Sequence, residues 1–93
     1  MRDRRIWSTV EFVRKSWSDG DVVYNLSSGN THLVSSLAAQ ILEQLRKHPT
    51  DSTEIARNLA AENGVEVADD LITSVEELLA TLEALGLVEV SNQ

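Results

Sequence analysis

The fold is decided between residues 21 and 34, where the sequence reads DVVYNLSSGNTHLV. Val22, Tyr24 and Leu26 alternate onto one face, and the enrichment in β-branched and aromatic residues is typical of a strand. Residues 31–34 have the composition of a partner strand. Four residues that suit a tight connection separate the two runs, and they are Ser27, Ser28, Gly29 and Asn30. The stretch therefore predicts a β-hairpin.

A second alternating pattern precedes the hairpin and predicts an earlier strand over residues 5–13. Ile6, Ser8, Val10 and Phe12 carry the alternation, although the polar residues that follow leave the end of the strand open. Together with the hairpin, this strand predicts an N-terminal three-stranded antiparallel sheet. Residues 87–90 could form a short final strand.

Beyond the hairpin the apolar residues recur at helical spacing, which predicts three helices. The first covers residues 36–47, because Pro49 prevents further extension. The second begins at Asp51, whose spacing to Glu54 is that of a capping box, and it ends at Gly64.

The third helix begins at Asp69 or Asp70, whose carboxylates can cap free N–H groups and oppose the helix dipole. Gly86 closes it, since glycine adopts the left-handed conformation that ends many helices. Its apolar stripe is too broad and too short for a coiled-coil seam, so it indicates core packing; it consists of Leu71, Ile72, Val75, Leu78, Leu79, Leu82 and Leu85. The predicted fold is α+β, a winged helix-turn-helix.

Composition predicts one folded domain over residues 1–93, with a flexible basic N-terminus at residues 1–5. Hydrophobic residues make up 42% of the chain and charged residues 25%, as in soluble globular proteins. The absence of cysteine excludes disulfides, thiolate metal sites and a cysteine nucleophile, and it fits a reducing cytoplasm. No apolar run has the length of a signal peptide or a membrane span, so we expect a cytoplasmic protein.

The net charge of −7 is unevenly distributed. Residues 1–17 hold five basic and two acidic residues, whereas three basic and thirteen acidic residues follow from residue 18 onward. The acidic part would repel phosphate backbones and attract basic segments, although it could equally serve only to keep a small protein in solution. A DNA-binding winged helix, the competing class, is disfavoured because residues 66–89 contain seven acidic residues and no Lys or Arg.

No pattern in the chain predicts a catalytic residue, a metal ligand or a cofactor site. His32 and His48 lie in different elements without carboxylates at metal-ligand spacing. The serines lack a nucleophile elbow, and the glycines form no phosphate-binding loop. Asp69 and Asp70 are better explained as capping residues than as paired acids. We therefore expect a non-enzymatic protein.

Several segments together resemble the PqqD family, most closely its HPr-rel-A system branch. The branch features are a Val-Val-Tyr-Asn strand at residues 22–25, a Ser-Gly-x-Thr-His hairpin at residues 28–32 and a Pro-Thr-x-Ser-Thr helix start at residues 49–53. Further similarity lies in Ala38-Ala39-Gln40-Ile41-Leu42, Glu54-Ile55-Ala56 and Leu82-Glu83-Ala84-Leu85-Gly86-Leu87-Val88. The resemblance covers roughly residues 17–90.

This resemblance implies a RiPP recognition element, a peptide chaperone that holds the leader segment of a ribosomally made precursor and presents it to a modifying enzyme. The leader would dock between the third strand and the third helix. An exposed third strand would offer unpaired backbone groups to a basic or amphipathic peptide, and the third helix would supply pockets and acidic groups. The expected peptide-binding residues are Asn30, Thr31, His32, Leu33, Val34, Asp70, Leu71, Val75, Glu76, Glu77 and Leu78.

Two other roles stay open, a protein-docking adaptor and a winged-helix DNA-binding regulator. The chain could be a monomer or a strand-swapped homodimer. We expect no nucleic acid or membrane among its partners.

Overall fold

A computed structural model of the chain describes residues 5–92, the side chain of Asn92 excepted. The elements in chain order are β1 (Arg5–Thr9), β2 (Phe12–Trp17), β3 (Gly20–Asn25), β4 (Thr31–Val34), α1 (Ser36–Lys47), α2 (Ser52–Asn63), α3 (Asp69–Ala84) and β5 (Val88–Asn92). β2, β3 and β4 form a three-stranded antiparallel sheet that precedes three helices, which confirms the predicted α+β fold. The predicted flexible N-terminus concerns residues 1–4, outside the described residues, and Arg5, which begins β1.

The predicted first strand over residues 5–13 is wrong in one respect, because the structure divides it into β1 and β2. β1 pairs with β5 in a separate two-stranded sheet, and β2 pairs with β3. The buried side chains explain the break: Trp7 and Phe12 are both 6% exposed, but they cannot face the same side of one regular strand. The chain therefore changes sheets at Val10, whose N–H donates to the Leu87 carbonyl at 3.1 Å.

Val22 and Tyr24 share one face of β3 as predicted, but this face points away from the core. The opposite face is buried and carries Asp21, Val23 and Asn25. Its polar groups are satisfied, because Ser16 donates to Asp21 at 2.6 Å and the Asn25 carbonyl oxygen Oδ1 accepts from the Ser27 N–H at 2.8 Å. Polar residues can therefore lie on the buried side, which the alternation of apolar residues alone does not reveal.

Helix ends follow the predicted signals with one exception, the start of α3. Asp51 caps α2 by accepting from the Glu54 N–H at 2.8 Å, and Gly64 ends that helix with a φ of 68°. Gly86 closes α3 with a φ of 79°. The exception is the start of α3, where Ala68 is the N-cap residue and no side chain caps the helix. Asp69 and Asp70 instead lie in the first turn, where their charge still opposes the dipole.

The helices cover the inner face of the three-stranded sheet and form one core with it. The largest fully buried side chains come from all three helices and from β3, β5 and the residue before β5; they are Ile41, Leu42, Ile55, Leu59, Leu79, Leu82, Leu87, Val23, Val75 and Val88. An ion-pair chain at the sheet edge joins Asp21 to Arg14 at 3.3 Å and Arg14 to Glu43 of α1 at 3.5 Å. The sheet thus packs on the helices through its inner face, and its outer face is not covered by them.

Candidate functional site

β4 is an edge strand: one side of its backbone pairs with β3, and the other side pairs with no strand among residues 5–92. The sheet order is β2-β3-β4. The Asn25 N–H donates to the Asn30 carbonyl at 2.8 Å, which fixes that opposed pair as a hydrogen-bonded one. Since hydrogen-bonded and non-hydrogen-bonded pairs alternate, Tyr24 and Thr31 form a non-bonded pair, as do Val22 and Leu33.

It follows that Thr31 and Leu33 direct their N–H and C=O groups away from β3, whereas His32 and Val34 bond to β3. Thr31 and Leu33 also place their side chains on the outer face of the sheet, and Leu33 is 68% exposed. His32 and Val34 face inward. The His32 Nε2 atom is buried and has no hydrogen-bond partner among residues 5–92.

A cavity of about 150 Å³ lies between the end of β4 and the C-terminal half of α3. Its walls are aliphatic apart from two hydroxyl groups, and they comprise Leu33, Val34, Ser35, Ala38, Leu78, Thr81, Leu82 and Leu85. A dry apolar cavity of about 150 Å³ is large enough to take up benzene, which is similar in size to one large apolar side chain. The cavity is therefore suited to a single apolar anchor.

The C-terminal half of α3 lies beside the end of β4 across this cavity. Asn25, at the start of the hairpin connection, donates from Nδ2 to the Gly86 carbonyl at 3.3 Å and holds the end of α3 beside the base of the hairpin. Leu78, about two turns before that end, lines the same cavity as Val34 and Ser35.

The residues predicted on α3 separate into three groups. Leu78 lines the cavity, whereas Val75 is fully buried and Leu71 is partly buried against the core. Val75 therefore has no exposed surface in this structure for a peptide to contact. The Oε2 atom of Glu76 accepts from the Ser52 hydroxyl at 3.3 Å, which turns this carboxylate toward α2 and away from the cavity.

Asp70 and Glu77 form the third group. Both are exposed, and their spacing of two turns places them in one row along the helix. The Glu77 main-chain carbonyl accepts from the hydroxyl of the cavity residue Thr81 at 3.1 Å, so Glu77 lies one turn from the cavity wall.

Five cavity residues were not predicted from the sequence, namely Ser35, Ala38, Thr81, Leu82 and Leu85. The helical spacing of Leu78, Leu82 and Leu85 was visible in the apolar stripe. The sequence did not reveal the position of α3 relative to β4, which brings the C-terminal rather than the N-terminal half of the helix beside the strand.

A second, wider cavity of about 500 Å³ lies at the opposite end of the sheet, around Val10, Phe12, Leu45 and Arg46. Its one cationic wall group is already engaged, because Arg46 donates to the Phe12 carbonyl at 2.8 Å and stacks 3.9 Å from the centre of the Phe12 ring. None of the predicted peptide-binding residues lies there. The cavity beside β4 is the one that combines a pocket with a free strand edge.

A family model described as Coenzyme PQQ synthesis protein D (PqqD) matches residues 21–88. The chain belongs to the PqqD family. No curated protein and no solved structure matches it.

The PqqD match begins in β3 and ends in β5, so it contains the β4 edge, the cavity and the whole of α3. Membership identifies a RiPP recognition element and indicates a peptide-binding accessory protein of peptide modification. The HPr-rel-A branch stays a prediction, since the match is to the family as a whole. β1 and β2 precede the matched region.

Two further observations bear on other classes of function. Within residues 5–92 no group of three or more His, Cys, Asp or Glu residues is placed to hold a metal ion. The helices of this PqqD-family chain are also too short or too polar, over the described residues, for any of them to cross a membrane.

Proposed function

We propose that this chain is a peptide chaperone that binds the leader segment of a ribosomally made precursor peptide as an added strand along β4 and presents it to a modifying enzyme in the cytoplasm. The observation that carries the proposal is the free edge of β4 beside an apolar cavity, within the part of the chain that matches the PqqD family.

Backbone pairing would supply affinity that depends little on sequence. Thr31 and Leu33 each offer one N–H and one C=O to an incoming strand, and a typical net hydrogen bond contributes about 0.5–1.5 kcal/mol. An extended peptide also has alternate side chains on opposite faces. One set would point toward α3 and the other toward solvent on the outer side of the sheet.

The cavity would select one apolar side chain from the peptide. Its lining contains no charged group, and burying a charged side chain there without a partner would be costly. A Leu, Ile, Met or Phe residue fits both the volume and the chemistry. Full burial of such a side chain stabilises a complex by about 1.5–3 kcal/mol.

Acidic groups beside the groove would favour a basic segment next to the apolar anchor. Asp70 and Glu77 are seven residues apart, which corresponds to about 10 Å along a helix. An extended chain advances about 3.3 Å per residue, so basic residues about three positions apart could face the two carboxylates. Exposed charges of this kind mainly accelerate association and set the orientation of the peptide.

The proposal is tested by a backbone amide NMR titration with the unmodified leader peptides encoded beside this protein and with a scrambled version of each. We expect saturable shifts in residues 30–34 and in the cavity residues of α3, with weaker shifts at Asp70 and Glu77. A folded protein that shows no shifts with several authentic leaders would refute peptide binding and favour an adaptor that docks only the enzyme.

A further inference from the structure

The outer face of the three-stranded sheet is apolar and uncovered. Cross-strand register places Lys15, Val22 and Leu33 in one row, Val13, Tyr24 and the polar Thr31 in the next, and Trp17 opposite Gly20. All helices pack on the other side. We call six of these side chains, Val13, Lys15, Trp17, Val22, Tyr24 and Leu33, the outer sheet face.

The outer sheet face is continuous rather than a set of scattered residues. Trp17 is 58% exposed, Val13 54%, Tyr24 41% and Leu33 68%. A Cβ atom at Gly20 would lie 3.7 Å from Cδ1 of Leu33, so the Leu33 side chain leans across the gap toward Trp17. The largest contiguous apolar patch on a small protein is often a functional surface.

Lys15 is the one charged member of the outer sheet face. Its Nζ atom lies 5.4 Å from the centre of the Trp17 ring. Within residues 5–92 it makes no ion pair, whereas Arg14, Arg46 and Arg57 are each paired with a carboxylate. In a chain of net charge −7, this face is therefore neutral to positive and lacks its own anion.

The exposed area fits a transient partner better than a second copy of the chain. A fully exposed aromatic side chain presents about 150–250 Å², so Trp17 and Tyr24 together expose roughly 200 Å². The aliphatic residues extend the patch to a few hundred Å², whereas a stable complex buries about 800 Å² on each partner. In a homodimer formed through this face, the two Lys15 side chains would repel each other, and so would the two acidic proteins as a whole.

Leu33 belongs both to the outer sheet face and to the wall of the cavity beside β4. A peptide strand added along β4 would enlarge the sheet and place every second side chain in the plane of the outer sheet face. A partner seated on this face would then contact the chain and the bound peptide at the same time.

We propose that the outer sheet face docks the peptide-modifying enzyme, through an apolar enzyme surface that sets a carboxylate against Lys15. The inference rests on the proposed peptide-chaperone function and names the surface by which the peptide is presented. The affinity of the enzyme should rise when the leader is bound, because the added strand completes the docking surface.

The test titrates the purified modifying enzyme encoded beside this protein into the labelled full chain, with and without the leader peptide, and follows fluorescence anisotropy. Lys15→Glu and Trp17→Ser should each weaken enzyme binding at least tenfold. Lys47→Glu and Val65→Ser are matched controls at exposed positions away from the face, and they should bind like the unaltered chain. Amide spectra check that every variant is folded.

Leader binding is measured separately, without enzyme, and should change less than twofold in all four variants. Failure of the leader to bind the unaltered chain would overturn the proposed function. Intact leader binding with unchanged enzyme affinity of Lys15→Glu and Trp17→Ser would overturn only the docking surface. The docking surface would also be overturned if sedimentation showed concentration-dependent self-association that Trp17→Ser abolishes, since the face would then bind a second copy of the chain.

Discussion

Leu33 and Leu78 line the same cavity from opposite sides, Leu33 from the edge strand β4 and Leu78 from α3. The N–H of Leu33 points to the free edge of the sheet, its side chain belongs to the outer sheet face, and the residue also lines the cavity. This one residue therefore links backbone pairing, the apolar anchor and the proposed enzyme contact. A different substitution tests each of these roles.

Leu33→Pro should abolish strand addition while the domain stays folded. Proline removes the N–H that faces the free edge, and Leu33 donates no bond to β3 that would be lost. We expect leader affinity to fall by about tenfold or more, the equivalent of one or two backbone hydrogen bonds. Calorimetric titration measures the change. Leu33→Ala keeps the N–H and serves as the control; equal losses in both variants would assign the effect to the side chain and contradict backbone pairing.

Thr81→Trp should block the cavity. Thr81 is exposed at the cavity rim, so a large side chain there can fold over the opening without disturbing the core. We expect leader affinity to fall at least tenfold, because the peptide would lose the burial of its anchor, worth about 1.5–3 kcal/mol. Ala80→Trp adds the same side chain one residue away on the solvent face, and it should leave affinity unchanged. A cavity-blocked variant that binds the leader normally would rule out the anchor.

Glu77→Lys should slow the association of a basic leader, and Glu76→Lys should not. Glu77 lies one turn before the cavity residue Thr81, whose hydroxyl donates to the Glu77 main-chain carbonyl, whereas the Glu76 carboxylate turns to Ser52 of α2. A single exposed charge contributes about 0.2–1 kcal/mol, so we expect a several-fold lower association rate with a weaker dependence on salt. Stopped-flow fluorescence at two salt concentrations provides the measurement. Equal effects of the two substitutions would show that only the net charge matters.

The sequence predicted the elements of this fold well where local chemistry decides them. The hairpin around Gly29, the span of α1 and the glycine ends of α2 and α3 depend on turn residues, proline and left-handed backbone positions, which act over a few neighbouring residues. The break between β1 and β2 could not be read, because it depends on Trp7 and Phe12 packing into one core from different sheets. That constraint exists only once β5 has paired with β1.

The sequence predicted only part of the candidate site, because the rest depends on how distant elements pack together. The edge strand follows from the hairpin and from the family resemblance, and Leu78 follows from the helical stripe. Val75 and Leu78 are both apolar and three residues apart, yet only Leu78 borders the cavity. Which flank of a helix faces a strand depends on how the helix is rotated in the core. Glu76 and Glu77 are likewise adjacent in the chain, yet they point in directions about 100° apart around α3.

Asp21→Asn should remove the part of the free energy of unfolding that depends on the ionised Asp21 carboxylate. The pKa of Asp21 lies below its ordinary value of 3.8, mainly because Ser16 donates a hydrogen bond to the carboxylate; desolvation opposes this effect, and Arg14 adds a hydrogen bond and a positive charge. A carboxyl group with a lowered pKa in the folded state stabilises the fold above pH 3.8, and this contribution disappears as the pH falls through the lowered value.

Urea unfolding of the native chain and of Asp21→Asn at pH 7 and at pH 3 measures this contribution. The variant should be less stable at pH 7, and the difference between the two proteins should shrink at pH 3, because below the ordinary pKa of 3.8 the Asp21 carboxyl takes up a proton in the unfolded chain. Asp19→Asn, at an exposed turn position two residues earlier, is the control and should change stability little at either pH. A difference that is the same at both pH values would show that Asp21 acts through packing and not through its charge.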